Sequence, residues 1–316
     1  MSERLAAAAN LLVVLGPTGS GKSHLGLTLA EEFDGEIVNC DSVQVYRQLD
    51  AGSAKTPVAE RRGIPHHLID IANVDEHFSA GDFQRLARQA ITSIHNRGKL
   101  PIVVGGTGFY LRALLEGLSA APQRDEALRR RLQRIAANRP RALHRLVAAK
   151  DPLAAERIHP NDLQKLIRAL EMIVLTGEAT STVQDRPRDA LTGVRIFKLG
   201  LNPPRALLYE RLDRRCVSMF DHGLIEEVGS LLAAGYQPDS KAMQSLGYKQ
   251  AIEVASGARS RTAAVGECQL KTRQYAKRQL TWFRGEPDVR WLSGFGEEEA
   301  VQNEAIAFLR GAQISP

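Results

Sequence analysis

Four stretches of this sequence carry residue types and spacings that suit chemistry on a phosphorylated or nucleic-acid ligand. Gly16-Pro17-Thr18-Gly19-Ser20-Gly21-Lys22-Ser23 fits G-x-x-x-x-G-K-S/T at every fixed position. Its glycines let the backbone turn tightly, so that several N–H groups and a helix N-terminus face one anionic group. Lys22 adds a point charge, and Ser23 Oγ is placed to ligate a Mg²⁺ that bridges phosphates. Such a loop recognises a di- or triphosphate, ATP among them, but names no reaction. Asp41 opens the second stretch, Asp41-Ser42-Val43-Gln44. An acid there suits a Mg²⁺ anchor or a general base, and position alone leaves both open. Gly105-Gly106-Thr107-Gly108 has glycines and a threonine where a nucleotide-hydrolysing motor often carries an acid. Close backbone approach to a ligand explains it better than metal ligation. Lys271 to Arg284 packs five cations and three aromatics with no acid. Snorkelling cations over a buried Trp282 and Phe283 would explain that composition. Aromatics among cations also suit single-stranded nucleic acid, and RNA is the reading taken.

The elements that must position these groups alternate strand and helix. Leu11 to Leu15 reads as a buried parallel strand, and His24 to Glu32 as the helix after the loop. Glu36 to Cys40 reads as a strand that delivers Asp41 at its C-terminal end, the edge where parallel sheets hold ligands. Pro65 to Ile71 is a further strand or strand entry, and the adjacent His66 and His67 would face opposite sides of it. Ser79 caps a helix with Phe83, Ile91 and Ile94 at helical spacing, and Pro101 to Val104 is the strand before Gly105. A helix from Phe109 to Leu118 follows. From about Pro122 to Pro187 the alternation stops. Arg124 to Arg145 is arginine-rich and helical in pattern, Asn161 caps a helix running to Leu175, and Thr180 to Asp189 is a polar exit. Val194 to Leu201 resumes the sheet, and Pro203-Pro204 starts a helix bearing Arg205, Arg211, Arg214 and Arg215. The expected fold class is α/β, with a parallel-sheet core like that of the P-loop NTPases and an inserted helical domain. Residues 1–121 and 190–316 make the core and its C-terminal helices, and 122–189 the insertion.

Composition narrows the function classes. A 316-residue chain with 43% hydrophobic and 25% charged residues is ordinary for a soluble globular protein. No apolar run is long enough to span a membrane, so no membrane partner is expected. The alanine-rich start resembles a short signal segment, but cleavage there would cripple the phosphate loop. Cys40, Cys216 and Cys268 lie far apart without a C-x-x-C pair, which argues against a zinc site or disulfide framework and fits the cytoplasm. The formal charge of +6 is compatible with an RNA partner.

Read in order, GPTGSGKS, NCDSVQVYRQLDAGSAKTP, GGTGFY, HPND, LGYKQ and RQYAKRQLTWFR resemble the bacterial tRNA dimethylallyltransferase family, from about Leu12 to Trp291. One departure is Thr56 between Lys55 and Pro57, read as lengthening a surface turn away from the chemistry. The resemblance implies transfer of a dimethylallyl group from dimethylallyl diphosphate to N6 of the adenosine just 3′ of the anticodon, in tRNAs reading codons that begin with U. The phosphate loop, Gly16 to Ser23, would then hold a leaving diphosphate with Arg211, and Mg²⁺ would sit on Ser23. Asp41 is chosen as the base that relieves the poorly nucleophilic amine, and Arg215 meets the charge on the departing diphosphate. Thr18 and Thr107 would orient the bridging oxygen and the target base.

The tRNA anticodon stem-loop is the implied partner, with the enzyme expected to be a monomer. Asp41, Ser42, Val43, Gln44 and Thr107 match positions where the family contacts tRNA, as do Gln164, Lys165, Leu166, Ile167 and Arg168. Gln244, Gly247, Tyr248 and Lys249 belong to the LGYKQ region of the same set. Arg129, Lys277, Arg278, Trp282 and Arg284 are expected to hold the RNA from the two basic segments. Three alternatives differ in kind. A P-loop kinase of a small metabolite needs an acceptor hydroxyl and no RNA surface. An isopentenyltransferase of free adenine nucleotides has little use for the insertion. An RNA-binding module that senses nucleotide would show no turnover.

Overall fold

β1 (Ala9–Leu15) is buried along nearly its whole length, as a strand at the centre of a parallel sheet must be. The computed structural model describes residues 9–119, 122 and 124–314. The alanine-rich start and the expected boundary at residue 121 therefore lie outside the described residues. The chain separates into two compact units, one drawn from Met1–Leu114 and Thr192–Pro316, the other from Leu115–Leu191.

In the first unit, β1 leads through the phosphate loop into α1 (Lys22–Glu32), then β2 (Gly35–Asn39) and β3 (His66–His67). The expected strand over Pro65 to Ile71 is thus reduced to two residues, because Leu68 and Asp70 take left-handed φ values of 63° and 56°. His67 bonds Glu36 at 2.7 Å, and Arg97 takes both oxygens of the same carboxylate, so these groups are structural. α2 (Ala80–Asn96) starts at a capping box in which Ser79 and Asp82 bond reciprocally. β4 (Leu100–Gly105) and α3 (Gly108–Leu115) follow.

The described residues of the second unit form helices and their connections: α4 (Glu126–Asn138), α5 (Ala142–Lys150), α6 (Pro152–Arg157), α7 (Leu163–Thr176) and α8 (Thr180–Gln184). The arginine-rich pattern is broken into two helices at Arg139-Pro140-Arg141, where proline cannot continue a helix and Arg141 has φ 61°. Asp162 caps α7 in place of the expected Asn161, accepting from Lys165 N–H at 3.2 Å. The expected polar exit contains the short helix α8. Leu132, Leu143, Val147, Leu166, Ile167 and Leu170 form this unit's own core.

Returning to the first unit, β5 (Val194–Leu201) leads to α9 (Arg205–Asp221), α10 (Leu224–Ala233), α11 (Tyr248–Ala255) and α12 (Arg261–Phe283). β6 (Val289–Leu292) and α13 (Glu299–Gly311) complete it. Among the described residues the six strands are all parallel, in the order β3-β2-β4-β1-β5-β6. This arrangement brings the loops after β1, β2 and β4 together at one carboxyl edge, the ligand edge of such sheets.

Candidate active site at the carboxyl edge of the sheet

The phosphate loop turns back on itself to start α1. Gly21 has φ 86°, and a Cβ there would lie 2.2 Å from Glu297 Oε2, so only glycine fits. α1 begins at Lys22 with no side-chain cap, which leaves its N-terminus available to an anion. Lys22 Nζ donates to Pro17 O at 2.7 Å. Burial pulls its pKa down to about 8, against the opposing charge of Asp41. Ser20 Oγ is buried without a hydrogen-bond partner, and the Ser23 side of the loop is exposed.

Asp41 follows the last residue pairs of β2. Its Oδ1 accepts from Val43 N–H at 2.8 Å and from Gln44 N–H at 3.3 Å, a local turn that fixes the carboxylate. Among the described residues no protein group bonds its Oδ2. Ser42 N–H donates to Thr107 Oγ1 at 3.1 Å, tying the Asp41 loop to the glycine loop after β4. From the other side, Arg215 on α9 donates to Thr18 Oγ1 at 3.2 Å, and burial pushes its guanidinium pKa down.

Two cavities meet at these residues. The first, about 650 Å³, is lined by Lys22, Ser23, Arg211 and Gln279. The second, about 490 Å³, is lined by Ser42, Gln244, Lys249, Lys271 and Arg278. Thr18, Asp41, Ser53, Arg215 and Tyr275 line both. One cavity thus carries the phosphate loop and the other a mixed wall bearing Arg215, Lys249, Lys271 and Arg278 beside Glu267, with the Asp41 carboxylate at their junction. Thr56 and Pro57 line the first cavity, so that turn is part of the site's wall and not remote from it.

Several expected contact residues are placed otherwise. Arg211 is ion-paired with Glu297 at 2.6 Å and lies over Phe295, so its charge is already met within the chain. Arg129, expected on RNA, is turned inward and bonds both oxygens of Glu171 at 2.8 Å. Arg168 joins the same carboxylate at 2.6 Å. Leu166 and Ile167 are 0% and 3% exposed in the helical core, which removes their side chains from any RNA surface. On the same helix, Gln164 and Lys165 are exposed.

Tyr248 is fully buried, donating to Glu227 at 2.6 Å and accepting from Gly52 N–H, and Gly247 opens α11 at φ 92°. Both are structural. Trp282 packs against Gly108, and Arg112 stacks on its ring at 4.3 Å, so it is no open stacking platform. Lys277 and Arg278 on α12, Arg284 just past its end, Lys249 on α11 and Gln244 before it are all exposed. Cys216 and Cys268, distant in sequence, meet as free thiols with their sulfurs 3.5 Å apart.

The sequence reading missed Tyr275, Gln279 and Glu297, all on the first cavity's wall. The first two lay inside the cationic segment and were read by composition alone. Glu297 had no signal, because only folding brings residues 293–298 onto the loop, where Gly296 N–H donates to Ser20 O at 2.9 Å. Among the described residues, no three or more His, Cys, Asp or Glu form a metal cluster, and no helix is long and apolar enough to cross a membrane.

Comparison with known proteins identifies relatives of the chain. The family model for IPP transferase matches residues 44–286. The chain is 52% identical over 296 residues to a tRNA dimethylallyltransferase of Solibacter usitatus, covering 94% of this chain and 96% of the relative. It is 51% identical over 301 residues to that of Koribacter versatilis, covering 95% and 98%. A full-length tRNA isopentenylpyrophosphate transferase from Bacillus halodurans has TM-score 0.71 at 38% identity, with 96% of both chains covered. A eukaryotic dimethylallyltransferase described as acting on tRNA has TM-score 0.77 at 28% identity, covering 98% of this chain and 80% of the other. With its parallel sheet, phosphate loop and near full-length identity to these transferases, the chain belongs to the IPP transferase family.

Proposed function

We propose that this protein transfers the dimethylallyl group of dimethylallyl diphosphate to N6 of an adenosine in tRNA, the one just 3′ of the anticodon in tRNAs reading codons that begin with U. The observation that carries the reading is the Asp41 carboxylate at the junction of a phosphate-loop cavity and a second cavity bearing Arg215, Lys249, Lys271 and Arg278, with one oxygen free of protein bonds among the described residues. Diphosphate entering the first cavity would meet the α1 N-terminus, Lys22 and Arg215. The adenine would reach the second cavity only by leaving the anticodon-loop stack.

The exocyclic nitrogen attacks the C1 carbon of the dimethylallyl group as the C1–O bond breaks. The bonding pair goes to the diphosphate oxygen, where Lys22 and Arg215 oppose the new charge. The nitrogen's proton passes to Asp41 Oδ2. Oδ1 stays held by the Val43 and Gln44 amides, so the base cannot swing away. Thr107 is fixed by Ser42 beside the base, and Thr18 by Arg215 beside the diphosphate. Ser23, an exposed hydroxyl at the loop, would hold a Mg²⁺ there. The ion's chemistry would be to neutralise the leaving group.

Mass spectrometry of unmodified tRNA incubated with enzyme, dimethylallyl diphosphate and Mg²⁺ tests this. One dimethylallyl group on the expected adenosine supports the reading. Modification of free adenine nucleotide but not tRNA would favour the free-nucleotide transferase, and no transfer to either would reject both.

A further inference from the structure

We infer that Gln279 is a positioning residue for this transfer, locking the phosphate loop to the glycine loop after β4. Its side chain is 6% exposed, on the inner face of α12. Gln279 Oε1 accepts from Thr18 N–H at 2.8 Å, and Nε2 donates to Gly106 O at 2.7 Å. The orientation of the amide is dictated by its partners, since an N–H can only donate and a carbonyl only accept. Gly106 makes room for it: a Cβ there would stand 2.4 Å from Nε2.

The two loops need such a tie. Pairing between β1 and β4 ends at Leu15 and Gly105, so Thr18 and Gly106 lie past the last sheet register. Thr18 also carries the Arg215 contact, and Thr107, next to Gly106, carries Ser42 beside Asp41. One buried amide therefore sets the distance between the groups expected to hold the leaving group and those expected to hold the base. A displacement of about 1 Å between reacting partners can cost on the order of 10²-fold in rate. The inference rests on the proposed transfer reaction.

The test compares wild type, Gln279→Met and Gln279→Glu in single-turnover transfer to tRNA, with folded fraction and tRNA affinity measured alongside. Gln279→Met keeps the volume and loses both bonds, so its rate should fall by roughly 10–100-fold while tRNA affinity stays within about twofold. An ionised glutamate accepts from Thr18 N–H but opposes the Gly106 carbonyl, whereas a protonated one satisfies both. The rate of Gln279→Glu relative to wild type at the same pH should therefore climb between about pH 8 and about pH 5.5. The Gln279→Met ratio should stay flat. Rates near wild type for both variants would overturn the inference. So would equal losses at every pH that follow the folded fraction, which would make Gln279 a packing residue only. An inactive wild type would instead remove the reaction itself, and this inference with it.

Discussion

Two clusters of cations drawn wholly or partly out of water, one in each unit, are built on opposite principles. In the helical unit, Arg129 and Arg168 converge on Glu171, whose oxygens accept three guanidinium bonds and one from Asp125 N–H. Burial pushes the Glu171 carboxyl up, but those bonds outweigh it and hold its pKa at about 2. At the sheet edge, Lys22 and Arg215 have a carbonyl and a hydroxyl as partners, and neither is ion-paired to a described carboxylate. Burial lowers both of their pKa values. A partly buried cation without a counter-ion carries a desolvation cost, which an arriving polyanion would offset. Satisfied charge holds a fold together, and unsatisfied charge waits for a ligand. Arginine content alone does not tell the two apart.

The largest effect should come from the junction between the cavities. Asp41→Ala is expected to lower kcat by roughly 10²–10⁴-fold with both substrates still bound. Recovery of the rate in excess Mg²⁺ would make Asp41 a metal anchor instead. In the helical unit, Glu171→Gln should destabilise by about 3–5 kcal/mol, because it leaves Arg129 buried and unpaired. Replacing Glu171 and Arg129 together with leucine should recover most of that loss in urea unfolding. A neutral single variant would show that the ion pair does not hold the unit together. The sign of the pH dependence follows from the lowered carboxyl: the stabilisation is complete above the ordinary value of 4.5 and is lost as pH falls through about 2.

Lys22 behaves in the opposite sense. Its proton leaves above about 8 in the free protein, so diphosphate affinity should fall by about tenfold per pH unit beyond that point. Lys22→Arg should move the break out of the accessible range, and a flat wild-type profile in calorimetry would contradict the assignment. The smallest effects belong to exposed cations. Neutralising Lys277 or Arg278 should flatten the slope of log tRNA affinity against log salt by about 0.7–0.9 each. The paired replacement at Arg129 and Glu171 should leave that slope unchanged, and a change there would erase the contrast between the clusters.

How far the sequence could be read follows the same division. The phosphate loop, the buried strands and the cap at Ser79 were legible because each rests on local physics: glycine torsions, apolar runs and a reciprocal cap. Asp41 was legible as an acid at a strand end. Arg129 was not, because its partner Glu171 is 42 residues away and only packing brings them together. Leu166 and Ile167 fell to the same cause, since a motif match says nothing about which helix face is buried. Gln279 and Trp282 were read by composition in a segment where burial, not residue type, separates RNA-facing cations from packing groups. The proximity of Cys216 and Cys268 was likewise invisible in their spacing.

In the proposed reaction the diphosphate is a leaving group and Asp41 takes the proton of the attacking amine. Dimethylallyl diphosphate labelled in both its carbon skeleton and its phosphorus, followed through one turnover with tRNA, tests this most directly. The expected result is carbon label on adenosine N6 and phosphorus label in free diphosphate, one to one, with both lost together in Asp41→Ala. Phosphorus label on the RNA, or unimpaired transfer by Asp41→Ala, would contradict it.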